Sequence, residues 1–344
     1  LQKAIYFNYT QILKGSYQME PGSIRVADLK VLVATWSGGL FVVSNGMRER
    51  GKAKHEMANH AVRGLAADGR SGALAIIDGR SLCRRAPEGT WSTIATTEFD
   101  LACCVAVGNV IYVGTDDARV LRVSANGKID PLRGFDEMAG RDTWFAGSAI
   151  VNGKRVGPPL GVRSITATSD GAVLFANVHV GGIPRSVDGG ETWQPTIEIA
   201  SDVHEVRAHP HLPRTVAAAA AVGLCTSSDG GATWTTERAG LHAPHCSAVA
   251  FAGNDVLVSA SVDPFVPEGA VYRRKMDERS PLVKIAGGLP EWLGGKVDTG
   301  CIATNGSTVA MADMSGSLYV STDTGLTWSR WEDGIPMPSG VLIL

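Results

Sequence analysis

Ser186-Val-Asp188-Gly-Gly190-Glu-Thr192-Trp193 returns as Ser227-Ser-Asp229-Gly-Gly231-Ala-Thr233-Trp234, and again as Ser321-Thr-Asp323-Thr-Gly325-Leu-Thr327-Trp328. Three copies of S-x-D-x-G-x-T-W are not a chance event. The first two aspartates are 41 residues apart and the next interval is 94, about two such periods. A fixed period in this range marks a repeat architecture. The chemistry of the stretch is structural. Ser ends one strand. Asp accepts hydrogen bonds from nearby backbone N–H groups, and Gly supplies the positive φ of a tight connection. Thr and Trp open the next strand, and the indole brings a large apolar surface to bury between sheets.

Working outward, strand alternation and turn signals divide the chain from residue 24 into units of four strands. The first unit has only three: Val31–Trp36, Leu40–Ser44 and the stretch after Gly46, with Ser44-Asn45-Gly46 as a worn copy of the motif. Six complete units follow, beginning at Val62, Leu101, Val162, Val203, Cys246 and Gly300. Gly340-Val-Leu-Ile-Leu344 at the other end of the chain supplies the strand that the first unit lacks. Such a ring has no open end. The expectation is an all-β, seven-bladed β-propeller of four-stranded antiparallel blades in one domain, 24–344. Six blades is the alternative if the first unit is miscounted. Residues 1–23 do not match the repeat and read as an N-terminal extension, either an appended or upstream segment or an arm docked on the propeller.

The motif resembles the Asp-box (BNR) repeat. That family includes sialidases, two-domain xyloglucanases, sortilin-type receptors and photosystem assembly factors. The resemblance implies a β-propeller with Ser186, Asp188, Gly190 and Trp193, Ser227, Asp229, Gly231 and Trp234, and Ser321, Asp323, Gly325 and Trp328 at the turn between the third and fourth strands of their blades. It implies little about function, because fold does not determine function.

Composition narrows the classes. The 344 residues carry a net charge of −2 with acids and bases mixed, which argues against an electrostatic nucleic-acid binder. Apolar runs are strand-sized, so no membrane span is expected. The six cysteines form no C-x-x-C pair and sit in or beside apolar runs. They read as buried reduced thiols and point to a cytoplasmic protein. A monomer is the expected state.

The turns between first and second strands are short. The long connections, Ala139–Gly161, Asp263–Gly269 and Gly287–Val297, all fall on the other face. Loops on a rigid scaffold carry function, so this face is the expected working face. In sialidases, too, the site lies on the face away from the boxes. Polar residues gather at its strand ends: His60, Asp100, Arg163, His204, His245 and Asp298, then Asp78, Asp116, His179, Asp263 and Asp313. The strongest local signals are His179-Val-Gly181-Gly182 and Asp202-Val-His204-Glu205, in adjacent units beside the long loop. This pairing resembles what bacterial members of the repeat class carry.

The expected site is a small-molecule pocket at the mouth of the central channel. Its expected members are His179 and His204 as acid, base or ligands, Arg163 as anion partner, Trp144 as a wall, and Asp142, Gly181, Gly182, Glu205, His245 and Asp263 around the ligand. No cofactor is required. A metal held by His60, His179, His204 and His245 is one reading, since ring symmetry brings distant blades to one axis. The bland alternative is that these groups only solvate a rim and that the face binds a protein partner.

Other templates fail. His55-Glu-Met-Ala-Asn-His60 and His204-Glu-Val-Arg-Ala-His209 place the second His at i+5, whereas the zinc-protease motif needs i+4 on a helix. No G-x-S-x-G elbow is present. Ile183-Pro184-Arg185 reverses the sialidase Arg-Ile-Pro order, and Tyr112, Tyr272 and Tyr319 read as blade core. Sialidase activity is therefore not expected. A hydrolase or lyase of another kind, or a non-catalytic scaffold, remains.

Overall fold

The computed structural model describes residues 29–45, 53–147, 149–151, 154–157, 159–264 and 268–344. The extension 1–23 and the turn at Gly46 lie outside these residues. Seven four-stranded antiparallel sheets form a ring, the seven-bladed propeller that the repeat predicts. Blade 1 is completed by the other end of the chain. Pro338–Ile343 pairs with Lys30–Thr35, with Val31 opposite Ile343 and Val33 opposite Val341. The fourth strand of blade 1 is Lys54–Glu56. Blades 2 to 7 begin with Val62–Ala67, Leu101–Val107, Val162–Ala167, Val203–Ala208, His245–Ala252 and Ile302–Asn305, which line the central channel.

The second strand of each blade explains the apolar runs. Ala73–Ile77, Leu174–Val178, Val216–Ala220 and Thr308–Ala312 are buried at every position. Each lies mid-sheet with a neighbouring blade against either face, so both sets of side chains leave water. Phe175 is fully buried, worth about 2–3 kcal/mol of transfer free energy. All six cysteines are buried free thiols. Among the described residues no helix is long and apolar enough to cross a membrane.

The S-x-D-x-G-x-T-W turns share one hydrogen-bond scheme. Ser186 Oγ donates to Asp188 Oδ1 at 2.8 Å and accepts from Gly190 N at 2.9 Å. Asp188 accepts from Thr192 N at 2.9 Å and from Thr192 Oγ1 at 2.6 Å. The Ser227 and Ser321 turns repeat these contacts. Gly190 has φ +91°, Gly231 +79° and Gly325 +83°, a region open to glycine at no steric cost. The indoles of Trp193 and Trp328 donate to the carbonyls of Gly190 and Gly325. Trp234 departs and donates to Thr196 Oγ1 of the preceding blade at 3.2 Å.

A chain ending at residue 337 leaves Lys30–Thr35 as an unpaired edge. Its thermal midpoint should fall by more than 10 °C (roughly, for a loss of several kcal/mol), and a peptide of residues 338–344 added in trans should recover part of the loss. Equal melting of the full and shortened chains by calorimetry would contradict closure by this strand.

Candidate functional site

The inner strands are not regular where they enter the channel. The pairing register shifts between Arg63 and Ala66, Leu101 and Cys103, Val162 and Ser164, Val203 and Glu205, and Cys246 and Val249. The closing strand has a matching shift that skips Ser339. A bulge leaves its extra residue out of the ladder and re-aims its side chain. Arg163 and His204 are the skipped residues of blades 4 and 5, and both line the channel.

Behind this ring of bulges lies a cavity of about 820 Å³ at the loop-bearing mouth. Gly147, Gly157 and Pro159 of the long connection and Pro264 of the 263–269 connection border it. The long connection folds as a short 3-10 turn, Arg141–Thr143, and a hairpin, Ala149–Val151 with Lys154–Val156. From blade 4, Arg163 spans the channel to blade 7. Its Nη2 lies 3.4 Å from Asp298 Oδ1 and donates to Thr299 Oγ1 at 3.1 Å. Lys296 Nζ lies 3.4 Å from the other Asp298 oxygen. Burial pushes the Asp298 carboxyl up, but Arg163 and Lys296 outweigh it and hold the group below the usual range. Arg63 pairs with Asp116 at 2.9 Å and Arg207 with Glu205 at 2.7 Å.

Three histidines stand together. The His179 and His204 rings are stacked with centroids 5.6 Å apart, and His245 lies 4.6 Å beyond His204. Asp202 Oδ1 is 3.3 Å from His179 Nε2 and 3.8 Å from His204 Nε2. His204 Nδ1 is 2.6 Å from the Cys246 carbonyl oxygen. A carbonyl only accepts, so this nitrogen carries the proton and Nε2 presents a lone pair. Burial, then the Arg163 charge, brings His179 down to about 4 and His204 well below its ordinary value, and burial lowers His245 as well. Burial raises the Asp202 carboxyl against the opposing pull of Arg163. At neutral pH the cluster therefore presents unprotonated imidazoles.

His179 is held by its turn. Val178 N donates to the Gly182 carbonyl at 3.0 Å, and Val180 sits at φ +53°. A β-branched residue there is a true outlier. Asp202 is also left-handed, at φ +47°. Strain of this kind persists only where surrounding structure enforces it. A methyl group on Gly147 would overlap the His179 ring, so the long connection packs directly on that imidazole.

The other expected members divide. Gly181 and Gly182 shape the turn and do not line the cavity: Gly181 packs on Val178 and Trp144, and Gly182 faces the Ile197 carbonyl. Trp144 is buried beside Phe135 under Arg141, in the core between blades 3 and 4, and is not a cavity wall. Asp142 is exposed on the connection, away from the cavity. His60 does not join the other histidines; its Nδ1 pairs with Asp78 at 2.7 Å on the exposed rim. Asp263 does not line the cavity, although its charge reaches His245. Glu205 lines the cavity but its carboxylate is engaged: it accepts from Val249 N at 3.0 Å, Gly300 N at 3.2 Å and Arg207 Nε at 2.8 Å. It clamps blades 5, 6 and 7 together. Arg63, Arg207 and Lys296 also line the cavity, and sequence reasoning misses them. Arg63 meets Asp116 only through the ring, whereas Arg207 and Lys296 pair with Glu205 and Asp298 two residues away, a local spacing that could have marked them.

No protein-family model matches the chain, and no curated protein matches it. Among solved structures it is similar to an ancestral GH74 enzyme, at 14% identity and TM-score 0.58, covering 92% of this chain and 40% of that one. It is also similar to the computationally designed Ika8 protein, at 13% identity and TM-score 0.56, covering 88% of this chain and 83% of that one. The chain thus spans well under half of the GH74 enzyme's length. At these identities the likeness is one of fold.

Glu205→Ala leaves the N–H groups of Val249 and Gly300 and the half-exposed Arg207 guanidinium without their acceptor. It should cost about 3–5 kcal/mol, read as a shift in the urea midpoint; a loss under 1 kcal/mol (roughly the value of a surface pair) would refute the clamp. The histidines set the pH dependence. Below the unfolded-state value of 6.5 the unfolded chain takes up protons that folded His179, with its value near 4, does not. Stability should therefore fall as pH drops from 6.5 toward 4. In the triple variant His179→Gln, His204→Gln, His245→Gln this slope should flatten; an unchanged slope in denaturant titrations would contradict the assignment.

Proposed function

We propose that this protein binds a small molecule at the loop-covered mouth of its central channel, and that hydrolase or lyase chemistry is the enzymatic class these side chains support. The observation that carries the reading is the cavity of about 820 Å³ into which imidazoles, carboxylates and cations converge. Its size is that of a small-molecule site. Arg163 and Lys296 share the single carboxylate of Asp298, so this trio has one positive charge in excess and favours an anionic group on the ligand. Unprotonated His245, which lines the cavity, is placed to accept a proton. Two strained residues, Val180 and Asp202, flank the cluster. The Asp-box resemblance is compatible with this reading, since the three motif turns lie on the opposite face and leave the mouth free to vary.

A second reading, a protein partner docked on the same face, is favoured by the exposed apolar side chains Phe145, Val262 and Met337, which lie outside the cavity. They sit at strand ends and connections on the mouth face and would suit a flat contact.

A thermal-shift screen of small carboxylates, phosphates and their neutral analogues separates the two. If the pocket is the site, one anionic class should raise the midpoint of the wild type by several degrees and lose that effect in Arg163→Met. If no small molecule stabilises the chain, or if stabilisation survives Arg163→Met unchanged, the anionic-ligand reading falls.

A further inference from the structure

We propose that Nε2 of His179, Nε2 of His204 and a carboxylate oxygen of Asp202 form a three-ligand site for a divalent first-row transition metal, open toward the channel cavity. The inference rests on the pocket reading for its use, but its evidence is separate.

The three donor atoms lie within 4.8 Å of one another. The separations of Asp202 Oδ1 from the two imidazole nitrogens, 3.3 Å and 3.8 Å, compare with roughly 3.0–3.5 Å between adjacent donors that each sit about 2.1 Å from one ion. Both carboxylate–imidazole separations are within a few tenths of an ångström of that range, and the two imidazole donors lie within 4.8 Å of each other. The hydrogen bonding is otherwise hard to explain. His204 donates through Nδ1 to the Cys246 carbonyl, so its Nε2 lone pair faces the lone pairs of Asp202 Oδ1. Two acceptors aimed at one another repel unless a proton or a metal cation lies between them, and the titration below separates the two. Asp202 Oδ1 is buried and accepts no hydrogen bond, and His179 Nδ1, on a side chain that is 6% exposed, has no hydrogen-bond partner either. A buried carboxylate oxygen left in this state is costly.

The supports are those of a metal site. A backbone carbonyl on the far nitrogen of a ligating histidine fixes its tautomer and ring direction, and His204 has one. His179 is set by the tight turn and by Gly147 behind its ring. His204 is fixed by the bulge on a buried strand. Two imidazoles and one carboxylate suit zinc, iron(II) or cobalt(II), and three protein ligands leave positions for water or a ligand oxygen. His245, packed on the far side of His204, is outside the ligand set.

The test uses the full chain, stripped with a chelator and titrated with Co2+ and then Zn2+. One ion per chain and a visible Co2+ spectrum are expected, with an X-ray absorption edge fitted by two imidazole nitrogens and oxygen donors. His179→Ala, Asp202→Asn and His204→Ala should each weaken binding beyond the roughly 10–100-fold that outer-shell changes cost, whereas His242→Ala should bind as the wild type does. Absence of stoichiometric binding, or binding indifferent to the three ligand variants, would overturn the proposal. Should a ligand variant fail to fold, the absorption fit of the wild type decides alone. Small-molecule stabilisation of chelated protein that takes up no metal would sink this inference and leave the pocket reading standing. Metal uptake without any small-molecule stabilisation would support the site and remove the pocket reading.

Discussion

The structure depends on one pairing, between Pro338–Ile343 and Lys30–Thr35. A propeller blade is stable only when neighbours cover both of its faces, and a ring satisfies that condition for every blade only if it closes. Here closure is non-covalent and joins the first described strand to the last. The channel inherits its shape from this pairing. Ser339, the skipped residue of the closing strand, completes the level of bulges that includes Arg163 and His204, and its hydroxyl donates to the Val62 carbonyl of blade 2.

The two faces of the ring divide the work. On one, the Ser-Asp-Gly-Thr-Trp turns satisfy backbone donors locally and pin the outer strands. On the other, the connections are long and the inner strands are bulged. Polar groups there meet partners from other blades: Arg163 with Asp298 and Thr299, Glu205 with Val249 and Gly300, Thr299 with the carbonyls of His204 and Ser247. These contacts make the channel rigid at the depth where Glu205 is fully buried and leave side chains such as His179 and His245 nearer the mouth. A preorganised mouth on a closed ring is the arrangement a specific ligand site needs.

The fold is legible because it repeats. The motif turns, the buried second strands and the C-terminal closing strand each follow from local pattern. Part of the site is legible too, since His179, His204 and Arg163 stand at strand ends on the loop-rich face. What is not legible is side-chain direction. Parity along a strand would send residues alternately in and out, but a bulge at Arg163 and at His204 breaks that parity. The left-handed Val180 turns Gly181 toward Trp144 and leaves Gly182 as a turn residue. Trp144 reads as a wall from sequence because it is aromatic and near the mouth; it instead fills the space between two blades. Ring position groups His60 with the other histidines, but Asp78 on its own blade holds it at the rim. Asp202 is visible in the sequence only as part of a motif, and its place between two imidazoles is a product of the turn that precedes its strand.

The proposed ligand site is the channel mouth and not the apolar rim around it. Crystals of the full chain soaked with a small-molecule fragment library test it most directly. Fragment density is predicted inside the cavity, within hydrogen-bond reach of Arg163, Lys296 or His179. Fragments that settle repeatedly on Phe145, Val262 and Met337, with only water in the channel, would contradict it and make this face a protein-docking surface.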